Sequence, residues 1–597
     1  MHIRTTIVAA VASLCFTGTG LAQTVADFFP EQKLTASDGA ADDYFGLSVA
    51  IDGDTALVGA RAADFNGVDT GSAYIYQRQA DGSWSEIQKL TASDGAPNDY
   101  FGLSVAIDGD TALVSAPYKN FQSGTAFGRV YIYQRQADGS WSETAHLLAS
   151  DGASGDYFGI SVAIDGDTAL VGAPYDDDNG TASGSAYLYQ RQTDGSWSET
   201  AKLTDSDGAA SDYFGIQVAI AGDTALVGAY GDNDDNGLES GSAYLYQRQA
   251  DGSWSETAKL TASDGAAGDY FGSRVAIDGD TALVGARYNE NNGEGTGSAY
   301  IYQRQADGSW SETAKLNASD GAQFDYFGSS VSIYGDTALV GTYGDNDDNG
   351  FDSGSAYIYE RQADGSWSET AKLTASDAAS FDNFGISVAI DGDTALVGAY
   401  GDNDNGQYTG SAYIYDIYEV INLDYGNTRY RSLETAIGQA ASGERLAVRS
   451  SAFNHAGIMD VSDIALQFIA VEPITMGTDL MFLPADGSSF IDSGDVEEAG
   501  YSLAGSLIAP DSGQLIFSNL ELDTGGELVQ NNSSLFVYGD MNNHAGTGYL
   551  AGNIFADQGD VSTDAGGVNR ISRDTDIYAD YVNDGTTAVH RGTLYIF

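Results

Sequence analysis

One feature constrains this chain more than any other: a block opening with Phe-Gly recurs at Phe45, Phe101, Phe158, Phe214, Phe271, Phe327 and Phe384. A period of 56 to 57 residues over seven units is the mark of a repeat architecture, in which each unit needs its neighbours to bury its apolar face. The first unit reads FGLSVAIDGDTALVGA from Phe45, then GSAYIYQRQADGSWSEIQKLTASDG from Gly71. Ser48–Ile51 is a short apolar run closed by the Asp52-Gly53 turn, and Thr55–Ala60 follows. Ala73–Arg78 alternates its side chains between two faces, Asp81-Gly82 signals a hairpin, and Trp84–Leu90 is a fourth run. No helical period interrupts them. The pattern predicts an all-β fold, a seven-bladed β-propeller with four strands per blade.

The ends of the array predict how the ring closes. After the seventh Gly410–Tyr415 run the Trp-Ser-Glu strand is missing, whereas Glu31–Gly39 matches the end of that strand and precedes the first Phe-Gly. The N-terminal segment is expected to complete the last blade and leave no exposed sheet edge. These residues, Phe-Gly at every blade start and the Ala-Leu-Val-Gly-Ala-Pro run at 169–174, resemble the FG-GAP repeat family, whose best-known member is the integrin α-subunit head. The resemblance covers residues 31–416. It implies a propeller used in extracellular adhesion and ligand binding, often with calcium in the blades.

The chain departs from that family where its calcium loop would lie. The first two strands are joined only by Ile51-Asp52-Gly53-Asp54-Thr55 and its equivalents. Two carboxylates cannot supply the six or more oxygens calcium takes, so Asp54 and its equivalents through Asp393 are expected to bond nearby backbone N–H groups. Acidic loops between the second and third strands are the alternative calcium candidates. Asp232, Asp234 and Asn236, and likewise Asp345, Asp347 and Asn349, follow the D-x-D-x-N-G order of half an EF-hand loop. Shorter versions carry Asp176 with Asp178 and Asp402 with Asp404. The closing glutamate is absent, its position falling on Ala243 and Ala356, with Glu239 and Asp352 as partial substitutes. Solvated turns are the competing account of these loops. A second acidic pair, Asp38 with Asp43, recurs through Asp377 with Asp382 and suggests a turn-capping task.

The flanks differ. Residues 1–22 read as a signal peptide: a short basic start at Met1–Arg4, an apolar run from Ile7 to Phe16, and small residues before Gln23. The expected destination is the cell exterior or surface, the periplasm included. Cys15, the sole cysteine, lies in that segment, so disulfide chemistry is excluded from the mature chain. From about Ile417 lysine disappears, a short helix is expected over 432–443, and β-like runs punctuated by Gly, Asn and Asp follow. This region, 417–597, resembles pectate-lyase-like parallel β-helix proteins. Its last run, Thr593–Phe597, has no visible cap, so a further coil or another pairing partner is expected.

Charge narrows the partners. The 86 acidic against 25 basic residues give −61, which sets nucleic acid and anionic membranes against the protein's own field. No segment after the signal is apolar enough to span a bilayer. None of the five histidines shows zinc spacing, and neither a phosphate loop nor a nucleophile elbow is present. The reading is a non-enzymatic propeller of residues 23–416 presenting its loops to a protein or glycan ligand, with calcium as a candidate cofactor. The alternatives are a polysaccharide-acting enzyme with its chemistry in the C-terminal solenoid, and a structural surface-layer component.

Overall fold

The Thr-Ala-Leu-Val-Gly-Ala run is buried at every position in each of its copies, starting with Thr55–Ala60 and Thr111–Ala116. A strand is apolar on both faces only where both faces are covered, so each sheet must be sandwiched between two others. The computed structural model bears this out. It describes residues 31–417, apart from residues 65–66, 80–81, 120–126, 234–236, 291–292, 347–349, 363 and 404–405, together with strand segments between 420 and 596. Glu31–Asp416 forms one compact unit of seven four-stranded antiparallel sheets.

In the first blade the strands are Phe45–Asp52, Thr55–Ala60, Ser72–Arg78 and Trp84–Leu90, hydrogen-bonded in that order. First strands pack against first strands from blade to blade, and the strand at Phe45 packs against the one at Ser387, so the innermost strands close a cycle. The Phe-Gly signature follows from this packing. Phe45 is fully buried, edge-on to Tyr74 at 5.5 Å and to Tyr76 at 6.1 Å. Gly46 has φ of +86°, and a Cβ there would stand 2.1 Å from the carbonyl oxygen of Ser411 in the preceding blade. Only glycine admits that approach.

The expected closure is found. Glu31–Leu34 pairs antiparallel with Ser411–Asp416, Glu31 opposite Tyr415 and Leu34 opposite Ala412. Glu31 also takes the place of a repeat residue. In the first blade Glu86 accepts hydrogen bonds from the backbone N and the Oγ of Ser37, both at 2.8 Å. Glu31 accepts the same two from Ser376, at 3.0 and 2.7 Å.

The chain from Ile417 belongs to another unit. Its strand segments pair in parallel, apart from the antiparallel pairing of Val420–Asn422, within sheets of 10, 7 and 6 strands. The helix expected over 432–443 and the signal peptide expected over 1–22 lie outside the described residues. No helix among the described residues is long and apolar enough to cross a membrane.

Candidate binding face

The acidic loops are built around one recurring contact. In the fourth blade Asp232 is buried where the second strand ends, and its Oδ2 accepts from the Tyr244 hydroxyl at 2.7 Å. The Lys259 ammonium lies 2.6 Å from the same oxygen and 2.7 Å from Oδ2 of Asp207. Burial alone would lower the Lys259 pKa, but the hydrogen bonds to Asp207 and Asp232 outweigh it and raise it. Asp345 meets Tyr357 at 3.1 Å and Lys372 at 2.7 Å. Asp402 meets Tyr413 at 2.9 Å and Lys33 at 2.6 Å. Asp176 meets Tyr187 at 2.7 Å and Lys202 at 3.0 Å, and Asp178 joins the same ammonium.

The structure therefore places four first-position candidates, Asp176, Asp232, Asp345 and Asp402, beside a lysine that already supplies positive charge. Asp234, Asn236, Asp347, Asn349 and Asp404 lie outside the described residues. Among the described residues no group of three or more acidic, histidine or cysteine side chains is arranged to hold an ion.

The second blade reverses the polarity. Lys119 stands where its sisters carry Asp176 or Asp232, and His146 stands in the lysine position. Lys119 is buried 2.7 Å from Asp99, itself buried. Lys119→Asp should destabilise the propeller by about 3 kcal/mol, because it leaves buried acids without a counter-charge. Adding His146→Lys rebuilds the sister arrangement and should recover at least half of the loss, as read by urea melts of both variants. Equal stability of the single variant and wild type would remove the ion pair from the account.

Of the paired acids before Phe-Gly the second caps the turn, Asp43 Oδ2 accepting from the Ala40 backbone N at 2.7 Å and Asp99 from that of Ala96 at 2.7 Å. The first, Asp38, accepts from the Tyr74 hydroxyl at 2.8 Å and meets Lys89 at 2.7 Å. At the turn between first and second strands, the bond to backbone comes from a different aspartate than expected. Asp52, not Asp54, accepts from backbone, and its donor is Gly109 N of the next blade at 2.6 Å. Asp278 reaches Gly335 N and Asp391 reaches Gly53 N, each at 2.6 Å. These are stitches between blades.

Around the channel, where first strands begin and second strands end, the structure assembles a belt that spacing alone did not reveal. Tyr44, Tyr100, Tyr157, Tyr213, Tyr270 and Tyr326 precede Phe-Gly, each with left-handed backbone at φ of 52° to 61°. Tyr118, Tyr175, Tyr230, Tyr288, Tyr343 and Tyr400 follow the second strands. The two sets alternate as neighbours. Ring centroids are 5.2 Å apart for Tyr100 and Tyr118, then 4.8 Å to Tyr157, 5.3 Å to Tyr175 and 5.4 Å to Tyr213. Tyr230, Tyr270, Tyr288, Tyr326 and Tyr343 continue at 5.1 to 5.3 Å. Arg61 bridges the first blade, its guanidinium 5.0 Å from the Tyr44 ring and 5.8 Å from that of Tyr100. Asn383 interrupts the belt between Tyr343 and Tyr400. Most of these rings are half-buried, and Tyr175 is 38% exposed. The available signal was the tyrosine that precedes Phe-Gly in six of the seven repeats.

Comparison with known proteins identifies the repeat. The family profile described as FG-GAP repeat matches residues 28–76, 84–133, 141–189, 197–246, 254–302, 310–359 and 367–415. The chain is also similar to integrin alpha-6 of Gallus gallus, 27% identical over 199 residues. That match covers 30% of this chain and 17% of the integrin subunit.

Proposed function

Because the chain belongs to the FG-GAP repeat family, we propose that it is an exported, non-enzymatic binding protein that engages an extracellular protein through the tyrosine belt. The observation that carries this reading is the continuity of the belt across blades. Tyrosine offers large, stiff contact area at little entropic cost, and rings already held by their neighbours lose less freedom on binding. The charge of −61 adds long-range attraction for partners with basic surfaces. The region after Ile417 acts in this reading as spacer or second contact surface. Calcium association by the loops at Asp232–Gly237 and Asp345–Gly350 belongs to the same proposal. Any calcium there has to share Asp232 with Lys259, whose ammonium already meets that carboxylate at 2.6 Å.

An array of extracellular proteins and glycans probed with the full chain tests the reading, with Tyr175→Ala/Tyr213→Ala as comparison. At least one protein should be bound saturably, and the variant should bind it about tenfold more weakly. Equal binding by the variant overturns the belt as the site, and saturable binding of glycans alone transfers the function to sugars. Repeating the capture in calcium and in chelator decides the metal: an affinity indifferent to calcium removes it from the site.

A further inference from the structure

In a chain so acidic, cations rarely lack a counter-charge. Within the described propeller every lysine and arginine forms an ion pair except Arg61, Arg135, Arg274 and Arg287. Arg61 is sandwiched between two tyrosine rings, and Arg135 bonds the Gln77 side chain at 3.2 Å. The remaining two lie at paired strands, with Arg274 opposite Gly285 and Arg287 two residues beyond it. Arg274 lies on the innermost strand of the fifth blade, Phe271–Asp278, and Arg287 directly follows the second strand, Thr281–Ala286.

Arg274 is half-buried, and desolvation, with the charge of Arg287 after it, pushes its pKa down to about 10. It remains a cation at neutral pH. Its Nη1 donates to its neighbour's carbonyl, Ser273 O, at 2.7 Å. Arg287 lies over the Tyr288 ring at 5.1 Å, and its Nε is buried with no hydrogen-bond partner.

The repeat shows what Arg274 displaces. Five sister positions carry serine: Ser48, Ser104, Ser161, Ser330 and Ser387, with Gln217 at the sixth. That serine stitches adjacent blades, Ser48 Oγ donating to Gly102 O at 3.0 Å and Ser330 Oγ to Gly385 O at 2.7 Å. The fifth blade gives up a stitch and gains a second guanidinium beside the first. Two half-buried like charges at paired strands cost stability unless something of opposite sign meets them. Arg287 also adjoins the belt, since Tyr288, whose ring it covers, stands between Tyr270 and Tyr326 there.

We infer that Arg274 and Arg287 form a receptor at the channel for a single carboxylate presented by the protein partner. A carboxylate is planar and accepts from the guanidinium fork through two oxygens, which suits a pair of arginines. A polyanion fits less well. The surrounding acids, Glu239 on Tyr270 at 3.0 Å among them, repel a dense run of negative charge. Beyond about 8 Å physiological salt screens them, so one carboxylate on an otherwise neutral or basic segment can reach the pair. This inference rests on the proposed protein-binding reading and deepens it.

The full chain is titrated by calorimetry with an end-blocked Lys-Gly-Glu-Gly-Lys peptide and its glutamine counterpart, using wild type, Arg274→Ser and Arg287→Tyr. Both substitutions restore sister residues, so folding is expected to survive. The glutamate peptide should bind wild type about tenfold more tightly than the glutamine peptide, and both variants should lose that preference. Melting in acetate against chloride at equal ionic strength supplies a second readout: acetate should raise the wild-type Tm more than that of Arg274→Ser. Equal binding of the two peptides, an unchanged preference in the variants, or binding of a galacturonate oligomer but not the glutamate peptide overturns the inference. If the tyrosine variant loses the captured partner while the arginine variants keep it, the carboxylate receptor fails and the belt stands. If the arginines alone matter, the belt reading fails instead.

Discussion

A chain that starts at Thr35, lacking the strand Glu31–Leu34, should lose the single cooperative melt of the ring. Removing that strand uncovers Ala412, Tyr413 and Ile414, all nearly inaccessible in the closed propeller, and leaves an unpaired edge in the seventh blade. Buried Leu34 goes with it, as does Glu31, which holds Ser376 and accepts from Tyr415 at 2.8 Å. Deleting one buried leucine side chain costs about 2–5 kcal/mol in a packed core, and the ladder and the glutamate bonds are lost in addition. The sum is comparable to the whole stability of a domain, about 5–15 kcal/mol. Thermal melts by near-ultraviolet circular dichroism should show a Tm lower by at least about 10 °C, with association through the open edge. A shortened chain melting within about 2 °C of the full one would mean that the ring does not depend on this strand.

The second large effect concerns Asp205. It replaces an alanine conserved in the sister units of this same chain, Ala36, Ala92, Ala149, Ala262, Ala318 and Ala375. Its carboxyl is 4% exposed, and neither oxygen has a hydrogen-bond partner. Burial, with the neighbouring charges of Asp212, Asp207 and Asp232, pushes its pKa up to about 7. The folded state therefore holds a proton that the unfolded chain releases near pH 4. Stability from this group is fully present below the unfolded value and is lost as pH rises through about 7. Asp205→Ala should raise stability by about 2–4 kcal/mol at pH 8, and the gain should shrink steadily towards pH 5. Urea unfolding at both pH values checks it. Asp325 and Asp382, pushed up to about 6 mainly by burial, act in the same direction but are present in both proteins and cancel. A gain independent of pH would mean that volume, not ionisation, sets the cost.

The ring was legible in the residues because repetition compounds every weak signal. One Asp52-Gly53 turn says little, but a glycine turn in all seven blades, five of them Asp-Gly, in register with Phe-Gly and the Thr-Ala-Leu-Val run specifies blade, strand order and closing strand together. The contacts between blades were not legible. Whether Asp52 or Asp54 reaches a backbone N–H depends on the neighbouring blade's Gly109, far away in sequence. The candidate metal loops show the same limit. Asp232 carries an EF-hand-like spacing, and nothing local to it announces that Lys259 and Tyr244 converge on its carboxylate. The belt escaped for a further reason: tyrosines placed before Phe-Gly and after the second strand look like independent turn residues until the fold interleaves them. Arg274 breaks a run of serines, as Gln217 does, but only its lack of an ion pair among the described residues gives that break meaning.

The antiparallel seam between Glu31 and Tyr415 also fixes how the disc responds to tension. The chain enters the ring at Glu31 and leaves it after Asp416, so both flanking segments depart from the same end of one strand pair. A pull applied between them does not shear the seam's hydrogen bonds together. It peels them one pair at a time, from Glu31 opposite Tyr415 towards Leu34 opposite Ala412. Under such a pull the first pairs to open are therefore those of the closing strand, in the seventh blade. Stretched between a surface and a partner, such a chain would unzip at its closing strand before its other six blades bear any load.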